Sequence, residues 1–246
     1  MRALLLASGF LVAGGCVSAK HMEQAHAKTT LGIAYLQEQN PEGAVTVLRE
    51  AVKLDPQNWR ARSALAMAYV TKGQPALAEE TFQGALRVNP TEGEILVTYG
   101  AFLVSNGRPI EAIPVLESAL NDLDYRNPAM VLSNLSRAHL EAGDPEKAAA
   151  RAQEAVRRAP KLCPARFHLG LAHEAMGKTD TALRDYAELI EECPNDALGG
   201  WLRTGCILAA LGDSSGADAA LRHVTDAALD TPMGDEARSC LQRPGG

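Results

Sequence analysis

The chain has 246 residues, room for one or two ordinary domains, and a formal net charge of −6 with acidic and basic residues interspersed. It carries no run of like charges, which argues against nucleic acid as a partner, because phosphate binding needs a clustered basic face. Aromatic residues are scarce while Ala, Leu and Glu are common, the composition of a helical protein.

The first segment belongs to targeting rather than to a fold. Arg2 supplies a short positive region, and Ala3 to Ala13 form an apolar stretch too short to span a bilayer. It ends in Ala13-Gly14-Gly15-Cys16, which resembles a bacterial lipobox, with Ala13 where that motif usually has Leu. The resemblance implies a signal over 1–15, removed before Cys16, and lipid on the Cys16 thiol. Several acyl chains at about 0.8 kcal/mol per buried CH₂ make such attachment permanent. Val17 in place of Asp implies the outer rather than the inner membrane. The segment also fits an ordinary secretory signal cut at the small residues, with Cys16 then incidental. A tether over 16–24 would precede the first helix, and Val17 to Gln24 reach at most about 25–30 Å.

From residue 25 a period of 34 residues takes over. Leu31-Gly32, Tyr35, Ala44, Leu48, Ala51 and Pro56 return as Leu65-Ala66, Tyr69, Ala78, Phe82, Ala85 and Pro90, and again as Leu169-Gly170, His173, Ala182, Tyr186, Leu189 and Pro194. This pattern resembles the tetratricopeptide repeat (TPR), a helix–turn–helix unit whose small residues let two antiparallel helices approach closely. The expected fold is all-α, a right-handed TPR solenoid of six repeats over 25–58, 59–92, 93–126, 129–162, 163–196 and 198–230. The intra-repeat turns fall at Gln39-Asn40-Pro41 and at glycines such as Gly73 and Gly177, which supply a left-handed helix end. Residues 231–246 read as a capping helix and tail, with Thr231 as N-cap, Pro232 in the first turn, and Asp235 and Glu236 at the positive helix end.

Beyond Cys16, Cys163, Cys193, Cys206 and Cys240 are confined to the C-terminal third. Four cysteines allow three pairings. Repeat geometry favours Cys163–Cys193, one opening a first helix and the other following the antiparallel second, and Cys206–Cys240, joining a first helix to the tail. Each closes a loop of roughly 30 residues, worth about 3–4 kcal/mol in the chain-entropy model. Unpaired core thiols are the other reading. No metal site is expected, for want of a C-x-x-C pair or a Cys/His cluster.

In a TPR array the first helix of each repeat lines the groove through its second, fifth, ninth and twelfth positions. Here these are His26, Thr29, Ile33 and Leu36; Arg60, Ser63, Met67 and Val70; Glu94, Val97, Ala101 and Val104; Met130, Ser133, Arg137 and Leu140; and Pro164, Phe167, Leu171 and Glu174. The set is apolar for a surface, and contiguous exposed apolar area marks interaction sites. An amphipathic helix or apolar peptide fits it better than an acidic C-terminal peptide, since only Arg60 and Arg137 could clamp a carboxylate. A second reading is that curvature of the array or the tail buries several of these residues. His139 and His173 stand where other repeats have Tyr35 and Tyr69 and read as packing substitutes, and His168 lies beside the packing residue Leu169. Glu79-Glu80 and Glu191-Glu192 read as solvated faces. No nucleophile–base pair, phosphate loop or carboxylate pair rises above chance, so neither an enzyme nor a cofactor is expected.

The junction of the third and fourth repeats runs two residues long, as Asn121-Asp122-Leu123-Asp124-Tyr125-Arg126-Asn127-Pro128 with Asn134-Leu135 following. With the lipoprotein signal it resembles the type IV pilus biogenesis and stability lipoproteins (the PilF/PilW/Tgl pilotins), in which a Tyr, then a Pro three residues on, then an Asn interrupt the period; Tyr125, Pro128 and Asn134 match. Leu135-Ser136 departs from the small pair common there. The resemblance implies a monomeric outer-membrane lipoprotein, anchored in the inner leaflet and facing the periplasm, that binds type IV pilus secretin subunits and promotes their localisation and multimerisation. Two other readings stay open: a TPR lipoprotein of the barrel-assembly machinery, and a periplasmic scaffold for envelope enzymes.

Overall fold

The computed structural model describes residues 18–122 and 124–242. They form thirteen α-helices with no strand among the described residues. Cys16 and Val17 lie outside them. The chain divides into two compact units, Met1–Pro90 and Thr91–Gly246.

The first unit holds α1 (Ala19–Gln37), α2 (Pro41–Leu54), α3 (Trp59–Thr71) and α4 (Pro75–Val88). Each helix packs on the next, and α1 also touches α3, so the first helices of successive repeats lie side by side. The helix α1 starts at Ala19, six residues before the repeat expected from 25 and inside the stretch expected as tether. The Ser18 hydroxyl starts it by accepting the backbone N–H of His21 at 3.2 Å, and no Pro or Gly interrupts Ala19 to Gln24.

The second unit holds α5 (Gly93–Ser105), α6 (Pro109–Ala119), α7 (Pro128–Glu141), α8 (Pro145–Arg158), α9 (Cys163–Ala175), α10 (Thr179–Glu192), α11 (Leu198–Ala210), α12 (Ser214–Ala227) and α13 (Pro232–Gln242). Consecutive helices again pack together, and α5 with α7, α7 with α9, and α11 with α13 touch as well.

The hairpins follow from local chemistry. Gly73 adopts φ 67°, and around it the N–H of Gln74 bonds the Tyr69 carbonyl while its own N–H bonds that of Val70, each at 2.9 Å. This left-handed cap ends α3 and reverses the chain. Gln39 does the same in the first repeat at φ 56°. Asn40, Asn58, Asn127, Asp144 and Asp213 then cap the helices that follow with their side chains, and Pro41, Pro128 and Pro145 occupy first-turn positions whose N–H would have no partner.

Within hairpins a small residue faces a large one sixteen positions later. A Cβ on Gly32 would fall 2.4 Å from Leu48, on Gly100 2.5 Å from Leu116, on Gly170 2.4 Å from Tyr186 and on Gly205 2.4 Å from Leu221. Those four large side chains are fully buried, each contributing about 2–3 kcal/mol of transfer free energy. The structure pairs Cys163 with Cys193 and Cys206 with Cys240, at Cα separations of 5.9 and 5.1 Å. The tail forms α13, begun by the Thr231 hydroxyl accepting from Gly234 N at 3.3 Å. It sets Ala237 and Cys240 against Leu202, Leu221 and Val224.

Candidate protein-binding faces

In the first unit, α1 and α3 present the outward face. Ile33 and Met67 are 40% and 37% exposed, and Leu36 and Val70 are half-buried at its edge. The intervening positions turn inward, where Thr29 and Ser63 are buried and the Thr29 hydroxyl donates to the Ala25 carbonyl at 2.7 Å. Arg60 lies 5.0 Å over the Trp59 ring, a contact that holds the guanidinium to its own helix.

The second unit departs from the sequence reading at α5. Val97 and Val104 are buried, 6% and 1% exposed, and offer nothing to a ligand; of the apolar positions assigned there only Ala101 is partly open. The reason is composition: α5 is apolar nearly all round and buries nine of its thirteen residues, as a helix of that pattern must. The partly open face of this unit is carried instead by α7 and α9. Leu140 and Leu171 line a pocket of about 430 Å³ together with Glu141, Glu174, Ala175 and Arg203, and Phe167 is half-buried nearby on α9, its ring 6.1 Å from that of Tyr186.

Ion pairs frame this pocket. Arg137 Nε donates to Glu141 at 2.8 Å and its Nη1 to the Ser105 hydroxyl at 3.3 Å, while Arg203 pairs with Glu174 and reaches Glu236 on α13 at 3.4 Å. Tyr186 donates its hydroxyl to Glu174 at 2.8 Å. Glu174 therefore raises the Arg203 pKa, chiefly by that hydrogen bond, and the Tyr186 phenol is pushed up by burial and then by the Glu174 charge. An apolar floor with charged walls suits one apolar side chain on a polar backbone rather than a charged terminus.

His173 and His168 do more than fill space. His173 Nδ1 meets the Asp185 carboxylate at 2.5 Å, tying α9 to α10, and burial raises the Asp185 pKa against the lowering effect of His173. His168 contacts the Ser133 hydroxyl at 3.3 Å; burial, with Arg137 nearby, lowers its pKa from 6.5 to about 4, so the ring is neutral. His139 is buried with Nε2 unpartnered, and desolvation lowers its pKa. The sequence could show these positions but not the Asp185 carboxylate twelve residues on.

The long junction also has a structural function. Asp122 accepts the Gly93 N–H at 2.7 Å, capping α5, and the Tyr125 side chain covers Gly93 so closely that a Cβ there would fall 2.8 Å from it. Burial, and then the Glu94 charge, raise the Tyr125 pKa. Pro128 is the first residue of α7, and Asn134 sits half-buried on that helix. Among the described residues no His/Cys/Asp/Glu group could hold a metal ion, and no helix is long and apolar enough to cross a membrane.

Tetratricopeptide-repeat family models match residues 35–99, 91–161 and 133–197, so the matches run without a gap over 35–197. The chain is a tetratricopeptide-repeat protein. TPR folds of this kind mediate protein–protein interaction, and the arrangement just described is a scaffold of that type. Comparison with curated proteins gives no match. Among solved structures, the type IV pilus biogenesis factor PilW superposes with a TM-score of 0.79 at 24% identity, over 86% of this chain and 96% of that one. PilF of Pseudomonas aeruginosa gives 0.76 at 23%, over 89% and 99%. A chain of the APC/C hetero-tetramer Cut9–Hcn1 gives 0.77 at 19%, over 91% of this chain but 43% of that one. This TPR protein thus resembles the pilus factors PilW and PilF in fold.

Proposed function

We propose that this TPR protein is a pilotin: an outer-membrane lipoprotein, anchored through Cys16, that binds an apolar segment of the unassembled type IV pilus secretin and promotes its localisation and multimerisation. The observation that carries the reading is mutual coverage. PilW and PilF are matched over 96% and 99% of their own length, whereas the matched chain of the Cut9–Hcn1 hetero-tetramer is covered over 43% of its length. The junction adds to it: Asp122 caps α5, Tyr125 covers Gly93 and Pro128 opens α7, so the segment that holds Tyr125, Pro128 and Asn134 interrupts the regular period.

Contacts would come from Ile33 and Met67 in the first unit and from Leu140 and Leu171 in the second, whose apolar surface a partner would remove from water. Each face is built to be covered rather than to react.

The test is deletion of the gene followed by an immunoblot of outer-membrane secretin without boiling. Loss of the multimer with monomer retained is expected, and restoration by wild type but not by Leu140→Glu/Leu171→Glu locates the contact. Unchanged multimer overturns the reading and leaves an envelope scaffold whose partner lies elsewhere.

A further inference from the structure

In the first unit, on the side away from Ile33 and Met67, α2, α3 and α4 enclose a pocket of about 360 Å³. Its walls are of two kinds. Val52, Leu65, Tyr69 and Leu77 form an apolar side, and Leu77 is 44% exposed. Arg49, Lys53, Arg62 and Arg87 form a cationic side, with Glu80 the one carboxylate among the lining residues.

Arg62 forms the fixed part of the cationic side. Its Nη2 donates to the Pro56 carbonyl at 2.6 Å, which immobilises the guanidinium, while its Nε is buried with no hydrogen-bond partner. A buried charged donor left unmade is costly, by about 1–3 kcal/mol or more. Gly84 floors the pocket beside it: from the point a Cβ would occupy there, Arg87 Nη2 is 3.6 Å away and Arg62 Nη1 3.7 Å. Two like charges therefore converge above a residue without a side chain. Arg49 and Lys53 stand one helical turn apart on α2 and add two more. Four like charges gathered beside a space, one of them with an unpaired Nε–H, are the electrostatic complement of a compact anion.

We infer that this pocket binds a phosphate-bearing ligand, with the phosphate between Arg62 and Arg87 and any attached hydrocarbon against Leu77 and Tyr69. Guanidinium forks match phosphate oxygens in pairs, and the apolar wall favours a phosphate carried on a short aliphatic body over the bare ion. Phospholipid headgroups and free phosphate esters share this chemistry. Neither Ile33, Met67, Leu140 nor Leu171 lines the pocket, so it stands or falls independently of the secretin reading.

The experiment is calorimetric titration of the purified full chain with three probes: inorganic phosphate, glycerol 3-phosphate and dihexanoyl phosphatidylglycerol below its micelle concentration. Saturable binding by at least one probe is expected, weakened about tenfold or more in Arg87→Gln and in Lys53→Gln, two exposed positions where the fold has little to lose. Tightest binding of the short-chain lipid assigns a headgroup; equal binding of phosphate and glycerol phosphate assigns a soluble ester. Circular dichroism of both variants should match wild type. Absence of saturable binding by all three probes, or binding that both variants leave unchanged, overturns the assignment.

Discussion

The two units solve the same packing problem with different bonds. In the first, Ala44, Val45, Leu48, Leu65 and Ala68 form a core cluster, with Tyr35, Leu36, Val52 and Tyr69 around it; apart from the part-covered bond of Asn58 to Thr29 at 3.4 Å, its polar ties between helices lie at the surface, Lys28 with Glu50 at 2.6 Å and Lys72 with Glu42 at 2.8 Å. In the second, exposed pairs such as Arg166 with Glu188 also occur, but several polar ties are covered. His173 meets Asp185, Tyr186 and Arg203 converge on Glu174, and Ser133 meets His168. Two covalent links join Cys163 to Cys193 and Cys206 to Cys240. A covered polar tie is specific because unmaking it leaves desolvated groups, whereas an exposed one exchanges its partner for water at little cost. The second unit should accordingly lose more from single changes of bond, and the first should respond mainly to changes of volume.

The largest break in that contrast is chemical. Removing Cys206–Cys240 by a paired substitution to Ser should destabilise the second unit by about 3–4 kcal/mol, as expected for a closed loop of this length. Hydrogen exchange should quicken in α11 and α13 and stay unchanged in α1 to α4. Equal quickening in both units would show that the staple does not act locally. Next comes acid. The folded His168 pKa is about 4 against 6.5 when unfolded, so the unfolded chain takes up the proton first. The stability this ring contributes is complete above about pH 6.5 and is lost as pH falls toward 4, by up to about 3 kcal/mol. Asp185, raised by burial, titrates in the opposite sense. The measurement is therefore a difference: urea midpoints between pH 7 and 4 in wild type and His168→Gln, with the variant expected to lose less. Parallel pH profiles would refute the assignment.

The period of small residues made the hairpins legible, because Gly32, Gly170 and their equivalents mark where one helix must touch the next. The disulfide pairs followed from the same register. Other features escaped for identifiable reasons. The groove rule for α5 considered only one face, yet Ile95, Leu96, Phe102 and Leu103 make the helix apolar on the others too, so Val97 and Val104 went inside. The start of α1 at Ala19 was hidden because 19–24 fall outside the period, although Ser18 and an unbroken run of helix formers were there to read. The cationic pocket had no sequence signal: Arg49, Lys53, Arg62 and Arg87 come from three helices and form no charge run. Assembly by tertiary structure is invisible to composition.

The two smaller effects sharpen the contrast from each side. Gly170→Ala drives a Cβ to within 2.4 Å of the Tyr186 ring, whose hydroxyl is tied to Glu174, and overpacking of this kind costs about 1–3 kcal/mol. Gly32→Ala meets Leu48 just as closely, but that side chain has no polar anchor and can pivot, so the thermal shift should be smaller. A larger shift for Gly32→Ala would mean that volume alone, and not the covered tie, sets the penalty. The smallest effect belongs to the exposed tie. Lys72→Met removes the partner of Glu42, whose side chain is 76% exposed, and stability should change by no more than about 0.5 kcal/mol. The long aliphatic stem, which covers apolar surface, is kept by the methionine. A loss of several times that size would place the Lys72–Glu42 pair among the ties that hold the first unit together, and the difference between the two units would then be one of degree.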